Sequence, residues 1–402
     1  MEEEMKTTLQ KLFFMVALTI AFNAQALPLA QKEWTFLLFL NGHNNLSSYG
    51  DMNLKDMEKS GSTDKVNLVV EWGSASDPLT RRLLVQKSTD PSKVTSPTIM
   101  SQKNVDMGDY KSLVDFVKWG SENFPAKHYF VAVWNHGSGW HFQDMANKGG
   151  EFHSTDISYD DNSGHRITTE QLALAMKEIK GILGRNVDIY GSDACLMQMI
   201  EVAGQMKDSV DYFVGSQETE PGEGWPYQTF MKKWTATPTM TPSEVSVLLS
   251  KEYFAAYNGG VYGNKPVTFG ALDLSKLDAL NASVADLSKH LKSFDAASLK
   301  KVKSAANSTQ DFYYSDYKDL GDFLKRIDTL QIQKDSKLLE KVRSDLKSVV
   351  LTSDNSSSYA GATGLSIWIP TYSTSDMTRY QALDFNQQTG WADFLKAMLA
   401  VQ

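Results

Sequence analysis

The chain has 402 residues, of which 42% are hydrophobic and 22% are charged, a composition typical of globular proteins with a large buried core. Its 48 acidic residues exceed its 40 basic ones, which gives a formal net charge of −8. A protein with this excess of negative charge gains nothing from releasing the counterions of phosphate groups, so the composition argues against nucleic-acid binding.

Residues 1–26 are predicted to be a secretory signal peptide. Lys6 and Lys11 precede an apolar segment at 12–22, and the small residues up to Ala26 follow at the spacing of a cleavage site. A retained anchor is the alternative, although the apolar segment is short for a membrane span. We therefore expect a secreted or periplasmic protein with no membrane attachment after the signal is removed.

Apolar runs alternate with helical periodicities along the chain, which is typical of a sheet covered by helices. Strands are predicted at 34–40, 66–72, 82–86, 129–134, 187–190, 212–214, 267–272 and 364–369. Helices are predicted at 110–119, from 168, at 195–207, 243–257, 275–294, 298–308, 320–327 and 336–350. The sequence thus predicts an α/β protein with a mostly parallel sheet flanked by helices. No linker divides it, so we expect a core at 27–235 and a helix-rich part at 236–402 that continues the same sheet.

Two predicted strands end in residues that can carry chemistry. One runs into His136 and Gly137, and the next runs through Asp193 to Cys195, the only cysteine of the chain. Because ligands bind beyond the carboxyl ends of parallel strands, both side chains are expected in one crevice. A helix starting at Cys195 would stabilise its thiolate, and His136 could transfer the proton. The backbone N–H groups of Gly137 and Cys195 could then form an oxyanion hole.

Each of these residues also has an inert interpretation. A lone cysteine is often a small buried side chain, and a histidine at the end of a strand is often structural. Asp193, two residues before the predicted helix, has the position of an N-cap. The placement of all of them at the ends of adjacent sheet elements is what favours the catalytic interpretation.

The two motifs resemble those of the clostripain family of cysteine peptidases, which are relatives of gingipains, legumains and caspases. The likeness rests on NHGSGW at 135–140 and DACLM at 193–197. It extends to NNL at 44–46, YDD at 159–161, EPGEGWPY at 220–227, DLGDF at 319–323 and GLSIW at 364–368. The likeness therefore covers most of the chain beyond the predicted signal peptide.

The resemblance implies a caspase-like catalytic core and a secreted endopeptidase with a dyad of Cys195 and His136 that acts through a thioester. It also implies a primary pocket in which Asp193 receives an Arg or Lys side chain, in the bidentate manner that suits a guanidinium. A carboxylate facing Cys195 would raise the thiol pKa, so Asp193 must turn away or be neutralised by substrate. Trp225 is a candidate wall of the substrate groove, with packing beneath the loop as the alternative.

Other family properties concern maturation and calcium. Family members often mature by self-cleavage at a basic residue between the two motifs, which makes this chain a predicted zymogen with Lys148 and Arg166 as candidate sites. Calcium dependence is reported across the family, and Asp156, Asp160 and Asp161 offer hard oxygen ligands, but not at EF-hand spacing. Calcium is therefore a candidate ligand. No cofactor is expected to be needed for the chemistry itself.

One position departs from the family pattern, and no catalytic role is assigned to it. His43 stands where the family typically has an aspartate before the two asparagines. The expected partners are protein or peptide substrates with Arg or Lys at the cleavage site, and we expect a monomer.

The sequence offers three alternatives to a cysteine peptidase. A metal-dependent hydrolase is disfavoured because His128, His136, His141, His153 and His165 lie close in sequence without an H-E-x-x-H motif. A serine hydrolase is disfavoured because the chain has G-S-G at 137–139 rather than a G-x-S-x-G elbow. A catalytically silent member of the family that acts as a secreted binding module is the third alternative.

Overall fold

The structure, a computed structural model, describes residues 31–90, 92–141, 156–330, 336–372 and 374–401. The predicted signal peptide at 1–26 lies outside the described residues, and so do Lys148 and His153. Within the described residues, no helix combines the length and apolarity needed to cross a membrane.

Nine of the described strands form one sheet, in the order β12-β10-β7-β6-β5-β1-β2-β3-β4. These strands are β1 (Lys32–Gly42), β2 (Val66–Ser74), β3 (Asp77–Leu84), β4 (Thr98–Lys103), β5 (Ala126–Trp134), β6 (Val187–Asp193), β7 (Val210–Gly215), β10 (Thr268–Asp273) and β12 (Val350–Asn355). The central five, β7 to β2, pair in parallel, and the strands outside them pair antiparallel. The carboxyl ends of the central strands therefore meet at one edge of the sheet.

The sequence of β1 explains why the sheet is covered on both faces. Its residues 34–40 are all fully buried, and successive side chains point to opposite faces of a strand. Leu37 and Phe39 join one hydrophobic cluster, while Phe36 and Leu38 join another on the opposite face. A strand that is apolar on both faces must lie between two layers of helices.

The helices supply these two layers. They are α1 (Ser47–Glu58), α2 (Tyr110–Asn123), α3 (Thr169–Leu183), α4 (Ile200–Met206), α5 (Tyr227–Ala236), α6 (Pro242–Tyr257), α7 (Leu277–Lys292), α8 (Ala296–Ser308), α9 (Leu320–Thr329), α10 (Ser336–Val349), α11 (Met377–Ala382), α12 (Asp384–Thr389) and α13 (Trp391–Leu399). The buried residues of α2, α3 and α4 belong to the first cluster, which also contains those of α7 to α10. The buried residues of α1, α5 and α6 belong to the second.

The helix-rich second half shares the sheet of the first half. Strands β10 and β12 extend it beyond β7, and residues 32–402 form one compact unit. Two small antiparallel pairs lie outside the main sheet: β8 (Asn258–Gly260) with β9 (Gly263–Asn264), and β11 (Tyr317–Asp319) with β13 (Ser366–Trp368). The predicted α/β fold class is therefore what the structure has.

One predicted helix begins later than its sequence suggests. The prediction placed a helix at 195–207, but α4 spans only Ile200–Met206 and its N-cap is Met199. Cys195 accordingly lies in a turn and not at a helix N-terminus. The predicted stabilisation of its thiolate by a helix end was wrong.

Candidate active site

The register of β5 and β6 brings the two predicted catalytic residues to the same edge of the sheet. Trp134 pairs with Asp193 across these parallel strands, and the Asn135 N–H donates to the Asp193 carbonyl oxygen at 3.2 Å. His136 and Cys195 each follow two residues beyond the paired positions. The two segments lie in contact, because a β-carbon built on Gly137 would stand 2.5 Å from the carbonyl oxygen of Cys195.

The segment that carries His136 is fixed by the side chain of Asn135. Its Nδ2 donates to the Asn41 carbonyl oxygen at 2.7 Å, and its Oδ1 accepts from the N–H groups of His136 and Tyr159 at 2.7 and 3.0 Å. Asn135 is 4% exposed, so these bonds form away from bulk water. The end of β5 is thereby held to the end of β1 and to the 157–160 segment.

The turn that carries Cys195 is held by the chain segment that follows β7. The Leu196 N–H donates to the Glu218 carbonyl oxygen at 3.1 Å, and the Gln198 N–H donates to that of Ser216 at 2.9 Å. Leu196 adopts φ 66°, a left-handed conformation that costs free energy for a side chain of this type. The backbone strain next to Cys195 is therefore maintained by these tertiary hydrogen bonds.

The thiol of Cys195 lies beside the backbone of Glu220. Its Sγ accepts from the Glu220 N–H at 3.2 Å and lies 3.9 Å from the Glu220 carbonyl oxygen. Burial is the main reason that the pKa of the thiol is raised to about 12; the Glu220 N–H opposes this rise, and the carboxylates of Glu220, Glu218 and Asp193 add to it. A pKa this high favours the thiol over the stabilised thiolate that the sequence predicted.

Asp193 turns toward the 224–227 segment and does not cap a helix. Its Oδ2 accepts from the Tyr227 hydroxyl at 2.7 Å and from the Trp225 N–H at 3.3 Å, and the residue is only 4% exposed. Burial raises the pKa of this carboxyl to about 7. The N-cap interpretation of Asp193 was therefore wrong, since it is the last residue of β6.

Sequence reasoning missed a second carboxyl group in the same place. Glu220 interacts with Asp193 through its side chain, and burial together with the Asp193 charge raises the pKa of Glu220 well above its usual range. Within the described part of the chain, neither carboxyl forms a salt bridge with a basic side chain. The signal was present, because Glu220 opens the EPGEGWPY segment that carries part of the family likeness.

Two other predicted site residues lie in segments that the surrounding fold holds in place. Trp225 is fully buried, and its ring contacts those of Phe130 and Phe269 beneath the loop, which favours the packing alternative over the groove wall. Arg166 is exposed, but Ile167 after it is buried and exchanges two backbone hydrogen bonds with Ile157. The peptide bond after Arg166 is therefore held in the fold.

The described histidines have separate partners. Nδ1 of His128, of His165 and of His43 lies 2.7, 2.5 and 2.9 Å from a carboxylate oxygen of Asp188, Asp106 and Asp160, respectively. His141 Nε2 lies 3.4 Å from Asp316. They therefore do not converge on one centre.

Two of the acidic residues considered for calcium have partners within the protein. Arg379 binds the Asp156 carboxylate at 2.7 Å, and the Asp160 carboxylate accepts from His43 and from the Met107 N–H. Among the residues that the structure describes, no group of three His, Cys, Asp or Glu side chains could hold a metal ion. Calcium dependence stays a prediction.

Comparisons with known proteins agree with the fold. A sequence model of the clostripain family, Peptidase_C11, matches residues 38–397. A secreted C11 cysteine protease from Bacteroides thetaiotaomicron, solved with an irreversible peptide inhibitor, matches with a TM-score of 0.69 and 21% identity over 90% of this chain and 99% of that one. An inactive zymogen C11 protease from Parabacteroides distasonis matches with a TM-score of 0.68 and 18% identity over 89% and 98%. No curated protein sequence matches.

Proposed function

Because this chain belongs to the clostripain family of cysteine peptidases, we propose that it is an exported endopeptidase that cleaves after Arg or Lys through a Cys195–His136 dyad. The observation that carries the proposal is the register of the parallel strands β5 and β6. Trp134 pairs with Asp193, so the segments that carry His136 and Cys195 leave the sheet side by side. The apolar N-terminal segment supports export, and so does the similarity to a secreted relative.

In the proposed reaction, the ring of His136 removes the proton from Cys195 Sγ as the sulfur attacks the carbonyl carbon of the scissile bond. The negative oxygen that develops is stabilised by the N–H groups of Gly137 and Cys195. His136 then donates the proton to the departing amine, and a thioester forms. Water attacks this thioester, with His136 as the base, to release the acid and restore the thiol.

The proposed recognition of a basic side chain rests on Asp193 and Glu220. Two adjacent buried carboxyl groups that pair with no basic side chain among the described residues prefer to share a proton, because two nearby negative charges repel each other. A guanidinium between them would supply the positive charge and planar donors that both carboxylates need. It would also reduce the negative field at Cys195.

The decisive experiment compares the purified chain with its Cys195→Ala variant on fluorogenic peptides with Arg, Lys or a neutral residue before the scissile bond. We expect cleavage after the basic residues by the wild type only, loss of activity with iodoacetamide, and no effect of zinc chelators. Mass spectrometry of both proteins reports self-cleavage, for which Lys148 is the proposed site. Cleavage that persists in Cys195→Ala would contradict the dyad.

A silent binding module is the second candidate, and one observation favours it. Asp193 is 4% exposed and the pKa of the Cys195 thiol is raised to about 12, which disfavours both entry of a basic side chain and formation of the reactive thiolate. A wild-type protein that cleaves no basic peptide, with or without processing near Lys148, would support this candidate.

A further inference from the structure

The imidazole of His136 has a hydrogen-bond partner on the turn that follows β1. Its Nε2 lies 2.7 Å from Oδ1 of Asn45. An amide oxygen only accepts hydrogen bonds, so this contact requires a hydrogen atom on Nε2. In the neutral ring the lone pair then lies on Nδ1, because the bond made by one nitrogen determines the tautomer of the other.

The turn that presents Asn45 is itself fixed. The neighbouring Asn44 accepts from the Leu46 N–H at 2.9 Å through Oδ1 and donates to the Tyr159 carbonyl oxygen at 3.0 Å through Nδ2. Strand β1 pairs with β5 up to Leu40 and Trp134, so the turn lies beside the segment that carries His136. Asn45 is exposed, whereas Asn44 is buried and holds the turn.

We propose that Asn45 is a positioning residue that holds the His136 ring in the tautomer whose Nδ1 receives the Cys195 proton. This inference rests on the proposed cysteine peptidase function. When His136 becomes an imidazolium, the amide oxygen also accepts from the positive Nε2–H without adding a negative charge near the thiol. An aspartate there would add to the carboxylates that already disfavour the thiolate.

Two variants separate this role from a structural one. Asn45→Ala removes the acceptor and should lower kcat by about tenfold to about a hundredfold with little change in KM, a loss smaller than the roughly hundredfold or more that a general acid–base residue contributes in full. Asn45→Asp keeps an acceptor and should recover most of kcat, with a pH profile displaced to higher pH because a carboxylate favours the imidazolium. Asn307→Ala, an exposed asparagine on α8, is the matched control and should behave as the wild type.

A direct measurement of the tautomer distinguishes failure of this inference from failure of the proposed function. Long-range ¹H–¹⁵N spectra of histidine-labelled protein, assigned with a His136→Gln variant, should show the Nε2–H form for His136. Asn45→Ala should give a mixture of tautomers. An Nδ1–H form in the wild type, or an Asn45→Ala spectrum and pH profile identical to the wild type, would overturn the inference whether or not peptides are cleaved.

Discussion

Gly137 lies against the backbone of Cys195, where a β-carbon on residue 137 would stand 2.5 Å from the Cys195 carbonyl oxygen. That distance is too short for any real contact, and a backbone atom cannot swing aside as a side chain can. Gly137→Ala should therefore push apart the segments that carry His136 and Cys195. We expect kcat/KM on an Arg peptide to fall by about a hundredfold or more, the cost of a displacement of about 1 Å in a catalytic pair.

The matched control is Gly181→Ala in α3. A β-carbon at Gly181 would meet nothing within 4 Å, and alanine favours a helix over glycine by up to about 1 kcal/mol. This variant should keep full activity and unfold at the same or a slightly higher temperature. Full activity in Gly137→Ala would contradict the close approach of the two segments.

The pair of Asp193 and Glu220 should determine selectivity for basic substrates. Asp193→Asn keeps an acceptor for Tyr227 and Trp225, and Glu220→Gln keeps the shape of its side chain, so each variant mainly removes one charge. We expect kcat/KM on Arg peptides to fall by about a hundredfold, since a charged hydrogen-bonded partner is lost. The kcat/KM on peptides with a neutral residue before the scissile bond should change much less.

The control for this prediction is Glu340→Gln, which removes the charge of an exposed glutamate on α10. This variant should leave unchanged the ratio of kcat/KM on Arg peptides to kcat/KM on peptides with a neutral residue. Equal losses on basic and neutral peptides in Asp193→Asn would mean that the carboxylate supports the loop and does not bind the substrate side chain.

The sequence predicted the edge of the sheet at which the two candidate segments end, because its signals are local. Continuous apolar runs such as 34–40 need burial on both faces, and this indicated a mostly parallel sheet and the edge at which its strands end. His136 and Cys195 follow directly after such runs. Their shared location therefore required only the assumption, now confirmed by the register of β5 and β6, that these strands are parallel neighbours.

The surroundings of Cys195 could not be predicted in the same way. The apolar spacing of Leu196, Met199, Ala203 and Met206 indicated a helix from 195, but hydrogen bonds to Ser216 and Glu218 hold the first residues in a turn. Those partners lie about twenty residues away along the chain. The approach of Glu220 to Asp193 is likewise a tertiary contact with no periodic signal. The burial that mainly raises the pKa of the thiol also depends on the packing of distant segments, and the sequence pattern does not report it.

The rate at which Cys195 is alkylated should depend steeply on pH and on whether a guanidinium is bound at Asp193 and Glu220. Only the thiolate reacts with iodoacetamide, and a pKa of about 12 leaves little of it at neutral pH. The alkylation rate should rise about tenfold per pH unit from about pH 7 to about pH 10. Agmatine, which carries a guanidinium but no scissile bond, should accelerate alkylation at pH 7 because it offsets the nearby negative charge.

Cys195 is the only cysteine of the chain, so the mass of one adduct reports on this thiol alone. Glu220→Gln should react faster than the wild type at pH 7 and respond less to agmatine. A rate that is already high and independent of pH near neutrality would contradict a protonated resting thiol. Slower alkylation with agmatine would contradict the proposed electrostatic coupling.

Arg379 on α11 should stabilise Asp156, whose backbone is hydrogen-bonded to the segment that follows His136. Its guanidinium binds Asp156 at 2.7 Å and Glu170 at 2.6 Å, and the Asp156 carbonyl oxygen accepts from the Ser138 N–H at 3.1 Å. Asp156 is 1% exposed, so Arg379→Ala leaves a buried carboxylate with little compensation. We expect the free energy of unfolding to fall by about 2–4 kcal/mol, less than the roughly 3–5 kcal/mol for a fully buried pair, because the Arg379 side chain is 33% exposed.

Lys111→Ala provides the comparison for Arg379, because Lys111 joins α2 to Glu178 of α3 in an ion pair whose two side chains are 56% and 40% exposed. Exposed pairs contribute about 0–1 kcal/mol, so this variant should unfold close to the wild type in urea. Arg379→Lys should recover only part of the stability, since an ammonium cannot bind both carboxylates in the fork geometry of a guanidinium. Equal urea midpoints of unfolding for Arg379→Ala and Lys111→Ala would mean that the ion pairs of Arg379 contribute no more to the free energy of unfolding than an ordinary surface pair.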